Sequence, residues 1–273
     1  MEKIKLIYIS SLGHSGSTLL DVLLNQHSAI QSVGEVMHYD EWLTKGLLCT
    51  CGEPLTQCSF WTKVNQPLRI GDISAPDYLD NTFKLYSGIQ NVSGQNIIVD
   101  SSKSVSRLIR LLSDNRFEVK VIHLVRNGLA VVNSLSKSHD RPGTGNTIKT
   151  PATPLLKGVL RWVRRNRSME NLINRVGNDA YLRLCYEDLC TQPEQVLRDI
   201  CNFAGIDFEN DMLDPNLGDN HNIGGSRWRF SDRVISVKLD DKWRSEVSGL
   251  TKFIFNIFGG RLNRSYGYSN ETP

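Results

Sequence analysis

Residues able to hold an anion stand close together near the start of the chain, in the order Gly13-His14-Ser15-Gly16-Ser17-Thr18. Two glycines and three hydroxyls suit a loop whose backbone N–H groups wrap one phosphate-sized group, with Ser15, Ser17 and Thr18 adding donors. A triphosphate loop of the Gly-x-x-x-x-Gly-Lys-Ser/Thr kind carries a Lys after its second glycine. Here Ser17 follows Gly16 and the loop is shorter, so the fixed cation is missing. A second anion anchor is written in Arg126 and Ser134, eight residues apart. That is about two helical turns at ~3.6 residues each, so a guanidinium at a strand end and a hydroxyl in the next helix can face one junction.

The surrounding pattern supplies elements to position these groups. Strand signals occur at Ile4 to Ile9, Asn96 to Val99, Val119 to Val125 and Tyr181 to Cys185. Helical periodicity separates them at Leu19 to Asn25, Ser104 to Leu112, Leu129 to Lys137, Leu155 to Ile173 and Pro193 to Phe203, with a late helix over Asp240 to Phe255. Strands alternating with helices predict a three-layer α/β/α fold of the P-loop type, with a central, mainly parallel sheet and ligands at the strands' C-terminal ends. The 273 residues suit a single domain. His139 to Pro154, rich in Pro, Gly, Thr and Asn, reads as a mobile lid or loop, and the tail after Asn263 as peripheral.

Composition excludes several classes. A net charge of +3 is too mild to argue for nucleic acid and is compatible with an anionic small molecule. No run reaches the ~18 apolar residues of a membrane span, and the first residues do not read as a leader, so a cytoplasmic protein is expected. Of the six cysteines, Cys185, Cys190 and Cys201 read as buried and inert. Cys49, Cys51 and Cys58 cluster, with His38 nearby, and zinc ligation is one reading. The Cys-x-Cys spacing and the long following gap depart from common zinc motifs, and a disulfide is disfavoured in a cytoplasmic protein, so packing is the expectation and no metal site is assigned. Arg161, Arg164, Arg165 and Arg167 read as a solvated helix face. Tyr39, Trp42, Phe60 and Trp61 read as core or as an apolar pocket wall.

The loop and the Arg126–Ser134 pair together resemble the sulfotransferases that use 3′-phosphoadenosine 5′-phosphosulfate (PAPS). The resemblance continues in family order through Val99-Asp100-Ser101-Ser102-Lys103, through Cys185-Tyr186-Glu187-Asp188-Leu189 with Pro193, and through His221-Asn222-Ile223-Gly224-Gly225-Ser226-Arg227. It implies that the first loop holds the 5′-phosphosulfate, that Arg126 and Ser134 hold the 3′-phosphate, and that Lys103 reaches the sulfuryl group. Tyr186 would lie near adenine, and Gly225, Ser226 and Arg227 would close over the nucleotide. His27-Ser28-Ala29-Ile30-Gln31-Ser32-Val33-Gly34-Glu35 is similar to the segment of the Golgi tyrosylprotein sulfotransferases and their bacterial relatives that carries the catalytic base, which implies Glu35. His14 departs from the family's Lys or Arg at the leaving-group contact.

The implied reaction is in-line transfer of a sulfuryl group to a hydroxyl or amine of a small-molecule acceptor, such as a secondary metabolite or glycan. Glu35 would be the general base, Lys103 and His14 would stabilise charge, and no metal would be required. Two rivals are a P-loop kinase or NTPase, with Asn96 to Asp100 as its acidic strand, and a non-catalytic nucleotide-binding module. The acceptor is left to Val36 to Asp72, His139 to Pro154 and the C-terminal segment.

Overall fold

A computed structural model describes residues 3–64, 69–142, 147–218, 220–226 and 234–269. The first half of the chain runs β1 (Ile4–Ser10), α1 (Ser17–Leu24), β2 (Ile30–Gly34), α2 (Tyr39–Lys45), α3 (Trp61–Val64), α4 (Tyr78–Ser93), β3 (Ile97–Asp100), α5 (Val105–Leu112) and β4 (Phe117–Val125). The second half runs α6 (Gly128–Leu135), β5 (His139–Pro142), β6 (Thr147–Thr150), α7 (Leu155–Val176), β7 (Tyr181–Cys185), α8 (Tyr186–Thr191), α9 (Pro193–Ala204), α10 (Trp243–Glu246), α11 (Gly249–Phe258) and α12 (Gly260–Ser265).

Five strands form the central sheet in the order β2-β3-β1-β4-β7, and every neighbouring pair is parallel. Side chains of β1 alternate between its two faces, as the period of two requires. Leu6 and Tyr8 enter a core shared with α4, α5 and α7, whereas Ile7 and Ile9 enter one shared with α1 and α9. A third cluster, built on Val131, Trp162 and Phe255, joins α6, α7 and α11. The three-layer fold is therefore as the pattern predicts.

The structure differs from the pattern in five places. Strand β2, all five of whose residues are buried, was hidden by its polar Gln31 and Ser32; Ser32 donates to the buried Asp21 carboxylate (2.5 Å). Helix α4 is an additional element, with Tyr78, Thr82, Leu85, Tyr86 and Ile89 buried at helical spacing. The late helix is two helices, because Ser248 caps a fresh start by accepting from Thr251 N (3.2 Å). The stretch read as a loop carries the antiparallel pair β5 and β6. Nor is the tail after Asn263 peripheral: Tyr266 is buried, and the Tyr268 hydroxyl donates to Glu187 Oε2 (2.5 Å).

Candidate active site

Each strand of the central sheet delivers a candidate residue just beyond its C-terminal end. The loop 13–18 follows β1, Glu35 follows β2, Lys103 follows β3, Arg126 follows β4 and Tyr186 follows β7. The register levels these ends: Tyr8 and Gly34 both pair with Asp100, and Val125 pairs with Cys185. β1 is the centre of the sheet, with successive crossovers going to either side, so the loop after it lies at the topological switch point.

The loop closes on α1, whose first N–H groups have no intrahelical acceptors. Gly16 caps the helix at φ 89°, where a Cβ would overlap the Tyr186 ring. A Cβ at Gly13 would meet nothing within 4 Å, so the loop is open there. Among the described residues, two non-glycine residues have positive φ, His14 (72°) and Lys103 (63°). Each conformation costs about 1–2 kcal/mol in an L-residue and needs surrounding structure to hold it. The His14 carbonyl accepts from Arg126 Nη1 (3.0 Å), and the Lys103 carbonyl accepts from Arg165 Nη1 (2.5 Å). Both unusual turns are thus fixed by an arginine from another element.

Lys103 Nζ donates to Glu35 Oε1 at 2.6 Å, with both side chains about 15% exposed (14% and 15%). Glu35 is further held at its backbone, donating to the Ile223 carbonyl (2.6 Å), and at Oε1, which also accepts from Gly225 N (3.1 Å). The next amide, Ser226 N, donates to Thr18 Oγ1 (3.1 Å). Neighbouring backbone amides therefore connect the carboxylate to the start of α1, consecutive Cα atoms being ~3.8 Å apart. The segment 221–226 is fastened to the same place by Asn222 Nδ2, which donates to the buried Asp21 (2.7 Å). The other nucleotide-closing candidate, Arg227, lies outside the described residues.

Arg126 is buried and spread over several partners. Besides the His14 carbonyl, its Nη2 donates to the Asp240 carbonyl (2.8 Å) and carboxylate (3.0 Å), and its guanidinium lies 4.5 Å from the centre of the Tyr186 ring. Its Nε is buried with no acceptor among the described residues. Tyr186 is itself buried, and that burial pushes its phenol pKa up, so it stays a neutral donor. Ser134 lies half-buried in the second turn of α6, after Arg126 as the spacing requires.

Several side chains occupy places the sequence did not indicate. Arg165 is no solvated residue: it reaches the Lys103 carbonyl, while Arg161, Arg164 and Arg167 are exposed. A cavity of about 730 Å³ opens beside it, lined by apolar Val105, Leu156 and Leu160 and by Arg161, Arg164 and Arg165. His38 is not with the cysteines; its Nδ1 lies 3.2 Å from Glu41 and its Nε2 3.9 Å from Glu35 Oε2. It was available to the sequence as a base neighbour through its three-residue spacing. Tyr39, Trp42, Phe60 and Trp61 are core. Cys201 is buried as expected, but Cys185 and Cys190 are half-buried. Asp100, the acidic-strand residue of the NTPase reading, is fully buried and taken up by Arg107 Nε (2.9 Å), the Tyr86 hydroxyl (2.5 Å) and Ser102 N (2.7 Å). It has no role open to it as a metal ligand at a nucleotide.

A sequence model of the sulfotransferase family matches residues 7–210, and the chain belongs to that family. Among solved structures it is similar to the sulfotransferase domain of the olefin synthase of Synechococcus PCC 7002, at 25% identity and TM-score 0.65, with 100% of this chain and 97% of that one covered. It is also similar to the sulfotransferase domain of the curacin biosynthetic pathway (21% identity, TM-score 0.56, 100% and 99% covered). A third similar structure is mouse sulfotransferase SULT7A1 complexed with PAP (16% identity, TM-score 0.55, 97% and 90% covered). No curated protein matches. Among the described residues, no helix is long and apolar enough to cross a membrane.

Proposed function

We propose that this sulfotransferase moves a sulfuryl group from PAPS to a hydroxyl or amine of a small-molecule acceptor, with Glu35 as general base. The observation that carries the reading is the 2.6 Å contact between Glu35 and Lys103, joined through Gly225 and Ser226 to the start of α1. It puts a proton acceptor and a cation at the edge of an anion loop. The PAP in the mouse structure supports the choice of nucleotide. So do the residues themselves: the open backbone at Gly13, the hydroxyls of Ser15, Ser17 and Thr18, and the partnerless buried Arg126 Nε fit a nucleotide with phosphate at both ends.

The donor, when bound, supplies the sulfuryl group and the leaving phosphate. Loop amides and hydroxyls bind the 5′ end, while Arg126 and Ser134 bind the 3′-phosphate, with Tyr186 beside the base. Lys103 Nζ turns from Glu35 toward the developing negative charge, which a fixed cation in a sheltered site stabilises strongly. That turn frees Glu35 Oε1 to accept the proton of the attacking hydroxyl or amine. His14 donates a hydrogen bond on the leaving-group side. The acceptor sits in the cavity beside Arg165, the residue that reaches the Lys103 carbonyl; its apolar wall and arginine rim suit a lipophilic molecule carrying an anionic group. Domains of an olefin synthase and of the curacin pathway among the similar structures favour a secondary-metabolite acceptor.

Incubation with PAPS and a panel of hydroxylated and aminated acceptors, followed for adenosine 3′,5′-bisphosphate, tests this. Acceptor-dependent release that Glu35→Gln abolishes is expected. Full turnover by Glu35→Gln rules out Glu35 as base.

A further inference from the structure

The cysteine cluster closes on a partner from the far end of the chain. Cys49, Cys51, Cys58 and His221 bring three Sγ atoms and one imidazole nitrogen within 4.8 Å of one another. Three of the six separations are 3.6 Å from Cys51 Sγ to Cys58 Sγ, 3.8 Å from Cys49 Sγ to His221 Nδ1, and 3.3 Å from Cys58 Sγ to His221 Nδ1. A tetrahedron around zinc, with Zn–S ~2.3 Å and Zn–N ~2.0–2.1 Å, has edges of ~3.8 Å between sulfurs and ~3.6 Å between sulfur and nitrogen. A disulfide would need ~2.05 Å. Those three edges lie within about 0.3 Å of a coordination shell's, and the whole cluster spans no more than 4.8 Å.

Local structure aims the four groups. Cys49 opens a four-residue turn that has Cys51 at its third position, so both thiols leave one short bend of the chain. The turn brings the chain back: Leu48 bridges Pro54, Cys49 N donates to the Glu53 carbonyl (2.8 Å) and Gly52 N to the Cys49 carbonyl (2.9 Å). Cys58 N donates to the Pro54 carbonyl (2.9 Å), which starts the turn carrying the third thiol. The His221 ring lies flat on Phe60, with centroids 5.2 Å apart and planes 6° apart, and its carbonyl accepts from the Trp61 indole (2.8 Å). Such outer contacts fix the orientation of a ligating imidazole. Cys49 and Cys58 are fully buried, whereas Cys51 is an exposed residue whose sulfur nonetheless points back into the cluster. Thiol packing alone does not require that.

We propose that Cys49, Cys51, Cys58 and His221 form a structural zinc site, closed by four protein ligands. Its place in the fold gives it a task. It ties the 49–58 loop to the segment that begins at His221, whose next residues hold the Glu35 amide through the Ile223 carbonyl and the Glu35 carboxylate through Gly225 N. The ion thus braces the segment that positions the carboxylate while lying outside the anion loop.

The test is metal content of untagged, full-length protein by plasma mass spectrometry after dialysis against metal-free buffer, with thermal unfolding before and after a zinc chelator. About one zinc per chain is expected, with unfolding lowered by several degrees on chelation and restored by added zinc. Cys51→Ser and His221→Ala should each lose at least tenfold in retained zinc. Replacement by cobalt should give the intense visible absorption of a tetrahedral thiolate site, a readout independent of any enzymatic activity. Zinc well below stoichiometry in a folded wild-type chain that takes up no cobalt overturns the proposal. So does a disulfide among the three cysteines, or chelation that leaves unfolding unchanged.

Discussion

Arg126→Lys separates recognition of the 3′-phosphate from general support of the fold. The arginine uses Nη1 on the His14 carbonyl and Nη2 on Asp240, and its Nε is buried without an acceptor among the described residues. Lysine keeps the charge, but its single nitrogen cannot serve three directions at once. Losing one hydrogen bond between charged groups removes roughly 1.5–3 kcal/mol, so binding of a 3′-phosphorylated nucleotide falls roughly 10- to 100-fold. Calorimetric titration of wild type and variant with adenosine 3′,5′-bisphosphate and with 5′-AMP measures this. The loss is expected for the bisphosphate, with 5′-AMP changed about twofold or less, since a contact to the 3′ end cannot act on a nucleotide without it. Equal weakening of both nucleotides would show that Arg126 merely holds the loop, and unchanged bisphosphate affinity would remove it from the site.

Asp240, 55% exposed, presents a carboxylate to Arg126 where a phosphate would compete. Asp240→Asn should therefore tighten bisphosphate binding, by a few-fold given the ~0–1 kcal/mol of a pair whose carboxylate is exposed; weaker binding would contradict the assignment. Gly16→Ala must hold φ near 89° and crowd Tyr186, and should cost about 2 kcal/mol or more, read as a lower unfolding temperature. Gly13→Ala, with nothing within 4 Å, should unfold as wild type yet bind nucleotide more weakly; a matching loss of stability would show the space there is not a cradle. His123 is buried between the Tyr181 hydroxyl (2.6 Å) and Asn166 Oδ1 (2.9 Å), and burial lowers its pKa from 6.5 to about 4. The unfolded chain then binds the extra proton between these values, so about 3 kcal/mol of stability, complete above pH 6.5, is lost as pH falls toward 4. His123→Gln should flatten the unfolding-temperature profile across that window, and an unchanged slope would refute the cause.

Legibility in the sequence followed the range of the interactions. The loop, Arg126, Lys103 and Tyr186 follow strands whose apolar runs are local signals, and their common level follows from a parallel sheet. Glu35 came from a resemblance, because β2 carries its burial through Asp21 and Ser32 and shows no apolar alternation. Long-range partners were not legible. His221 lies 163 residues beyond Cys58, and nearness along the chain pointed instead to His38, which packs by Glu35. Arg165 looked like one of four basic residues on a helix; only the left-handed Lys103 carbonyl it meets distinguishes it. The pairing of Asp100 with Arg107 likewise needed the fold, and it removes the acidic strand on which a kinase reading rested.

The central claim is that the anion loop, Lys103 and Glu35 together transfer a sulfuryl group. Sulfur-labelled PAPS, incubated with the wild-type chain and the acceptor panel, tests it most directly. The account predicts label moving to an acceptor with one adenosine 3′,5′-bisphosphate released per transfer, independently of added magnesium, and no transfer by Glu35→Gln. Magnesium-dependent conversion of ATP to ADP, with no label leaving PAPS, would contradict it.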